Sequence, residues 1–349
     1  MRLPWGALAL MAAAVLLIGC GEEGETTADK RLECPRRPAV ETHGELPRRS
    51  REISISLNRY RGPENVGILM AERRGYFDEV GLAVTVTTGI TPEAPARYVE
   101  QRGADLGLAQ QPQVVMAREK GAPIVAVGAL VPRPTTAMIW LEKSEIEGVA
   151  DLEGRTIAFP GLPSQRAFLE HLLGEAGLTL EDVETRRVGH DLVPPLVDGR
   201  ADAIFGGSWN LEGAELEARG LKPVITRVGS LGIPAYEESV VVARADRVAE
   251  DPRLIRDFMS AVARGSTAAI EDPEQAVRLI ERNVETNPSA GRKATEAGVE
   301  ATLPLLTETG CMDPEQAVEL VDWMQEQGMI RRAPPASELL TNLYVKGRP

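Results

Sequence analysis

The sequence holds few of the residues that most often carry catalysis. It has three cysteines and three histidines, and only 4% of it is aromatic. The histidines are scattered at 43, 171 and 190, so they build no clustered metal site. There is no His-Glu-x-x-His, no Gly-x-Ser-x-Gly elbow and no phosphate loop. Positive charge is also short. The formal net charge of −13 argues against nucleic acid and against a polybasic membrane surface as partners. Long apolar runs are absent except for Trp5 to Ile18, which falls short of the roughly 20 residues a spanning helix needs.

That short run is informative for where it stands. Arg2 precedes it, Leu17-Ile18-Gly19-Cys20 ends it, and the polar stretch Gly21 to Lys30 follows directly. A charged start, a short apolar core and small residues before a polar continuation mark an export signal. The ending resembles a bacterial lipobox. The resemblance implies a signal peptide over 1–19 and acylation of Cys20. Acyl chains hold a soluble domain at a membrane with about 0.8 kcal/mol per buried CH₂. Residues 20–50 are charged, Pro-containing and aperiodic, which reads as a flexible tether. With Cys20 acylated, Cys34 and Cys311 remain. An even pair outside the cell suggests a disulfide, with two free thiols as the alternative.

From Ile53 onward strands and helices alternate. Strands are expected at Ile53–Leu57, Val84–Thr88, Asp105–Ala109, Ile124–Ala129 and Met138–Leu141. A second series follows at Thr156–Phe159, Val183–Val188, Ala203–Phe205, Val224–Val228 and Val240–Ala243. Helices are expected between them. One runs from Val66 to Phe77, one from Pro112 to Lys120, one after Ser164 as N-cap and one from Leu211 to Arg219. Beyond Ala243 the pattern is helical. Asp272-Pro273-Glu274-Gln275-Ala276-Val277 recurs letter for letter at Asp313 to Val318. Each copy reads as a helix start, with Asp capping, Pro in the first turn and Gln bonding back. Trp323 and Met324 on the last long helix read as core. The fold class is α/β: two lobes, each a mainly parallel sheet with flanking helices, and a helical C-terminal return. Lobe 1 is expected over 51–137 plus 240–349 and lobe 2 over 138–239. The crossings are expected near Val131–Thr136 and Ser239–Arg244. A cleft at strand C-termini between lobes is where such folds bind small ligands.

Seven stretches carry a family resemblance. They are Arg73-Arg74-Gly75-Tyr76-Phe77 with Gly81-Leu82; Ala104 to Pro112 (ADLGLAQQP); Gly128 to Val131; Phe159-Pro160-Gly161-Leu162-Pro163-Ser164; Val188 to Pro194 (VGHDLVP); Asp202 to Asn210 (DAIFGGSWN); and Gly232-Ile233-Pro234-Ala235-Tyr236. In this order the chain resembles ABC-importer substrate-binding lipoproteins for thiamine pyrimidine precursors. Their type II periplasmic-binding-protein fold is shared with pyrimidine-precursor synthases and with sulfonate, nitrate and riboflavin binders. The resemblance implies an extracytoplasmic, lipid-anchored monomer that needs no cofactor. It would bind a small heteroaromatic ligand such as a thiamine pyrimidine precursor and hand it to permease subunits. The chain departs from the family pattern at Arg59, where an aromatic is usual, and at Asn65, where a His is usual. Ser208 also stands where an aromatic often precedes the pocket Trp. A cation at Arg59 keeps riboflavin, a sulfonate or another anionic ligand open.

The residues themselves suggest roles for these stretches. Trp209, after Gly206-Gly207, is a candidate stacking face or a core Trp. Asn210 offers ring-edge bonds or a turn cap. Asn58 and Arg59 end the first strand. Gln110 and Gln111 end another strand at the same cleft. Gly161 and Ser164 present helix N-terminal amides to an oxygen or simply cap the helix. Tyr236 and Glu238 fall in a pocket-lining stretch; Glu238 either accepts from an exocyclic amine or lies on the surface. A synthase-like enzyme is the alternative of another class. Such synthases consume a His and need a Cys cluster, whereas Asn65 stands at the His position. His190 beside Asp191 reads as a loop pair rather than an acid–base pair.

Overall fold

A computed structural model describes residues 50–58, 60–89, 91–282 and 291–345. The expected signal peptide, tether, Cys20, Cys34 and Arg59 lie outside the described residues. No helix among the described residues is long and apolar enough to cross a membrane. Cys311 is buried and disulfide-bonded.

Among the described residues, ten strands form two five-stranded sheets. In chain order they are β1 (Arg51–Leu57), β2 (Leu82–Thr88), β3 (Leu106–Ala109), β4 (Ile124–Val131), β5 (Thr136–Leu141), β6 (Thr156–Phe159), β7 (Glu184–Arg187), β8 (Ala203–Ser208), β9 (Pro223–Arg227) and β10 (Ser239–Arg244). The first sheet runs β2-β1-β3-β10-β4 and the second β7-β6-β8-β5-β9. Each sheet is mixed. β10 runs antiparallel to β3 and β4, and β5 runs antiparallel to β8 and β9. The other four strands of each sheet share one direction, so the parallel character expected from the alternation holds for all but the strand by which the chain enters. The chain passes to the second sheet over 132–135, and the expected boundary at 137/138 falls inside β5. It returns over 228–238, ahead of the expected Ser239–Arg244, which is β10 itself. The molecule is thus an α/β, two-lobed periplasmic-binding-protein fold. β3, β4 and β5 are buried along their whole length, as strands covered on both faces must be.

The helices depart from expectation in three places. The expected helix from Val66 to Phe77 breaks into Val66–Arg73 and Tyr76–Glu79 because Gly75 takes φ 73° between them, a left-handed conformation glycine adopts without cost. Pro163, not Ser164, opens the next helix, with Leu162 as N-cap; Ser164 is its second residue. Proline's fixed φ suits the first helical position. The region after β8 begins two residues early, as a π-helical turn over Trp209–Gly213 followed by the helix Ala214–Ala218. The repeated helix starts are capped by Asp272 and Asp313 side chains. Gln275 does not bond back; its Oε1 accepts from Arg74 Nε at 2.7 Å.

C-terminal helices hold the lobes to each other. Arg292–Thr302 packs on Trp209–Gly213 and Ala214–Ala218. Trp323 lies edge-on to Phe168 and His171 of the second lobe, ring centroids 5.6 and 5.1 Å away. Met324 is fully buried. In the first lobe, Val66–Arg73 crosses the long helix Pro252–Glu271 with glycine on both sides. A Cβ on Gly265 would stand 1.9 Å from the Gly67 carbonyl oxygen.

Candidate functional site

The parallel strands of both sheets point their C-terminal ends at one cleft of about 50 Å³. Asn58 follows β1 and Gln110 follows β3, with Glu64, Pro92 and Gln113 beside them. From the second lobe come Pro160 and Leu162 after β6, then Gln165, and Gly189, His190 and Leu192 after β7. Gly206 and Ser208 end β8, and Glu238 enters from the return crossing. Its polar wall is made of amides, carboxylates, the Ser208 hydroxyl and the His190 ring, beside the apolar Pro92, Pro160, Leu162 and Leu192. No Arg or Lys lines it among the described residues.

Glu238 is the joint of this arrangement. It is 4% exposed. Its Oε2 accepts from the Thr135 and Thr136 backbone N–H groups at 2.7 and 2.9 Å, and its Oε1 accepts from Gln110 Nε2. Thr136 Oγ1 is 3.1 Å from both oxygens. A side chain on the return crossing thus grips the backbone of the outgoing crossing and the end of β3. A buried carboxylate is tolerable only when so many donors replace its water. Tyr236, also buried, packs on Phe168 and meets Thr136 and Glu238. Burial, and secondly the Glu238 charge, raise its phenol well above the ordinary value.

Two unpartnered oxygens sit at the cleft. Asn58 Oδ1 and Gln165 Oε1 are buried without hydrogen-bond partners. Gln165 is 3% exposed, and its Nε2 donates to the Gly206 carbonyl at 3.3 Å. Buried polar groups are nearly always paired, so two orphans converging on one space mark where a ligand's donors fit. Gly206 takes φ 82°, and a Cβ there would stand 2.7 Å from the Gln165 amide carbon. Glycine is needed at this point for both the turn and the close approach.

Of the residues singled out in the sequence, Asn58, Gln110 and Glu238 line the cleft. Arg59 lies outside the described residues, and the other described ones are not among the lining residues. Gln111 exchanges two bonds with Glu237, its N–H donating at 3.1 Å and its Oε1 accepting at 3.2 Å. Trp209 carries the Arg227 guanidinium 4.0 Å above its ring. Asn210 is fully buried and donates from Nδ2 to Thr302 Oγ1 at 2.8 Å, across the lobes. Gly161, with φ 99°, lies under the Arg187 side chain, which reaches Glu93 of the first lobe at 2.6 Å. Ser164 is buried on the far side of the helix start. Asn65 is consumed locally: its Oδ1 accepts from Gly62 N at 3.1 Å. Glu64, Gln113 and Gln165 are polar lining residues that the sequence reading did not single out, and Ser208 and His190, which it weighed without a ligand role, line the cleft as well. Gln113 carried one signal, its place three after Gln110, where its Oε1 now accepts from Gln110 N at 2.7 Å.

Glu237 faces away from the cleft, toward the N-cap of the helix Pro314–Glu326. Its Oε1 accepts from Asp313 N at 2.9 Å, and Oε2 is buried without a partner. Burial, which outweighs these bonds, raises its carboxyl to about 7. A carboxyl raised in the fold holds its proton more tightly than in the unfolded chain. Its contribution to stability is therefore complete below pH 4.5 and is lost as pH climbs through about 7. Glu237→Gln keeps the acceptor for Asp313 and removes the titration. Relative to the variant, the native protein is expected to lose about 3 kcal/mol between those limits, read from urea unfolding at pH 4.5 and 8. A difference that stays constant with pH would show that Glu237 does not titrate there.

The model of the NMT1/THI5 like family matches residues 62–276. The chain belongs to this family. It is 26% identical over 299 residues to a formylaminopyrimidine-binding protein of Halalkalibacterium halodurans, covering 83% of this chain and 90% of that one. It is 25% identical over 231 residues to a 4-amino-5-hydroxymethyl-2-methylpyrimidine phosphate synthase of Legionella pneumophila, covering 65% and 72%. Among solved structures, the alkanesulfonate-binding protein SsuA from Xanthomonas axonopodis pv. citri superposes with a TM-score of 0.66 at 15% identity, covering 84% of this chain and 99% of that one. That likeness establishes the shared fold.

Proposed function

We propose that this chain is the extracytoplasmic solute-binding subunit of an ABC importer. It holds a small aminopyrimidine-type heterocycle between its lobes and releases it unchanged. The observation that carries the reading is the pair of orphaned buried oxygens, Asn58 Oδ1 and Gln165 Oε1, in a cleft whose described lining has no Arg or Lys. Such a site suits a neutral ring with exocyclic N–H donors. A sulfonate calls for donors and positive charge instead. The likeness to a formylaminopyrimidine-binding protein supports the same ligand class.

In this reading ligand joins Asn58, Gln110 and Gln113 of one lobe to Gln165, His190 and Ser208 of the other. Bonds to both sides favour the closed form, which docks on the permease. Cys20 carries the acyl anchor after loss of 1–19, residues 20–50 act as tether, Cys34 pairs with Cys311, and the protein works as a monomer. Turnover is the competing reading, because some relatives are named as synthases. Against it stands Asn65, held in a turn at the position where the resemblance places the synthase histidine.

Thermal unfolding with 4-amino-5-hydroxymethyl-2-methylpyrimidine, formylaminopyrimidine, riboflavin and methanesulfonate tests this. The pyrimidines are expected to stabilise by about 2.7 kcal/mol at a hundredfold excess over Kd, and mass spectrometry should recover them intact. Gly206→Ala puts a methyl group 2.7 Å from the Gln165 amide, displacing it from its place at the cleft, and is expected to weaken binding at least tenfold. It should cost about 1 kcal/mol of stability, from a side chain at positive φ. A shift by methanesulfonate alone, or recovery of a converted pyrimidine, would overturn the proposal.

A further inference from the structure

We infer that the protein has a second small-molecule site, separate from the cleft, which takes a compact apolar molecule with a donor and an acceptor at one end: the chemistry of an apolar α-amino acid. The site is a chamber of about 240 Å³ between the helices Ala94–Glu100 and Gln111–Glu119 and the start of Pro163–Glu175. Gln113 and the turn from Leu162 to Gln165 form the wall between the two spaces. Gln113 lines both; Leu162 and Gln165 face the cleft, while Pro163 and Ser164 face the chamber. The bond from Gln110 N to Gln113 Oε1 pins that wall.

The chamber has an apolar body and an unsatisfied polar end. Ala96, Met116, Ala117 and Ile124 supply the apolar surface. Ser164 is 1% exposed, and its Oγ has no partner. It sits in the first turn of a thirteen-residue helix, where unpaired backbone N–H groups attract an anionic oxygen. Facing them is Glu93, with one oxygen bound by Arg187 and the other buried without a partner. A hydroxyl and helix amides on one side want an acceptor; an orphaned carboxylate oxygen on the other wants a donor. A carboxylate and an ammonium on one carbon supply both, with the side chain on the apolar wall. The rim carries Arg97 and Lys120 against Glu100, one positive charge in excess, so the preference for a zwitterion over a plain carboxylate rests on the orphaned Glu93 oxygen. An occupant touches both lobes and is therefore linked to their closure.

Isothermal titration of the full-length protein with L-leucine tests the site, with 4-methylpentanoate and 3-methylbutylamine as probes lacking one polar group each. Saturable leucine binding is expected, at least tenfold tighter than either truncated probe. Ala117→Trp, which fills the chamber, should abolish it, and Ser164→Ala should weaken it about fivefold with thermal unfolding unchanged. Gly206→Ala, which displaces Gln165 at the cleft, should leave it intact; this arm separates the chamber from the pyrimidine reading, which fails or holds on its own titration. No saturable heat with leucine, or leucine binding lost in Gly206→Ala and kept in Ala117→Trp and Ser164→Ala, would overturn the inference.

Discussion

Glu238→Ala is expected to cost about 3–6 kcal/mol of folding stability. The carboxylate takes bonds from two backbone N–H groups of the outgoing crossing and from the Gln110 amide. These three donors stay behind when the side chain goes, as does the Thr136 hydroxyl, which can turn elsewhere; each buried donor left unpaired costs about 1–3 kcal/mol, and partial relaxation into the vacated space holds the sum to the lower part of its range. Domains of this kind have roughly 5–15 kcal/mol in total, so the variant should be partly unfolded at ordinary temperature. Glu238→Gln separates charge from shape. It keeps one acceptor oxygen but turns an NH₂ toward existing donors, and it should fall between native and alanine in urea unfolding. The same gradient is expected in ligand affinity, because the grip on Thr135 and Thr136 sets how the two crossings lie. An alanine variant within about 1 kcal/mol of native would mean that the carboxylate does not hold the crossings together.

The second large effect is expected far from the cleft. Gly265→Ala puts a methyl group 1.9 Å from the Gly67 carbonyl oxygen and 2.8 Å from Ala71 N. Those atoms are backbone, so no rotamer change relieves the overlap, and the two helices must separate. Overpacking of this sort costs about 1–3 kcal/mol and sometimes more; here the top of that range is expected. Gly67→Ala meets mainly the Ser266 hydroxyl, at 2.4 Å. It should be milder, and Gly67→Ala with Ser266→Gly milder still. Calorimetric melting of the three variants should rank them in that order, and equal melting temperatures would show that the helices slide apart freely.

Much of the architecture was legible because strand signals are local. β6 runs from Thr156 to Phe159 as its run of β-formers implied, and all ten expected strands occur with ends shifted by a few residues. What pairing they adopt is not local. Nothing in Ser239–Arg244 announces that it lies between β3 and β4 and runs against them. Helix ends were legible where one residue type dictates them, as at Asp272 and Asp313. They were not where two signals competed, as at Pro163 and Ser164. The candidate site divides in the same way. Asn58 and Gln110 stand at strand ends and Glu238 at a crossing, which sequence position reveals. Gln165 lies one residue past a stretch singled out for its composition, and its role depends on Gly206, 41 positions away. Trp209 drew notice as a rare aromatic, yet its ring lies against Arg227 within its own lobe. That pairing comes from β8 and β9 flanking β5, which composition does not encode.

The insertion of β10 between β3 and β4 also dictates an order of assembly. When β4 has been made, its natural neighbour is still more than a hundred residues from being translated, so the first sheet waits with a gap in its middle. The second sheet, complete once β9 exists, has no such delay and can mature while its partner is unfinished. Unpaired strand edges held open for that interval invite wrong partners. A nascent chain arrested after β9 should therefore protect the Thr136–Arg227 region from proteolysis while leaving Arg51–Val131 open to cutting.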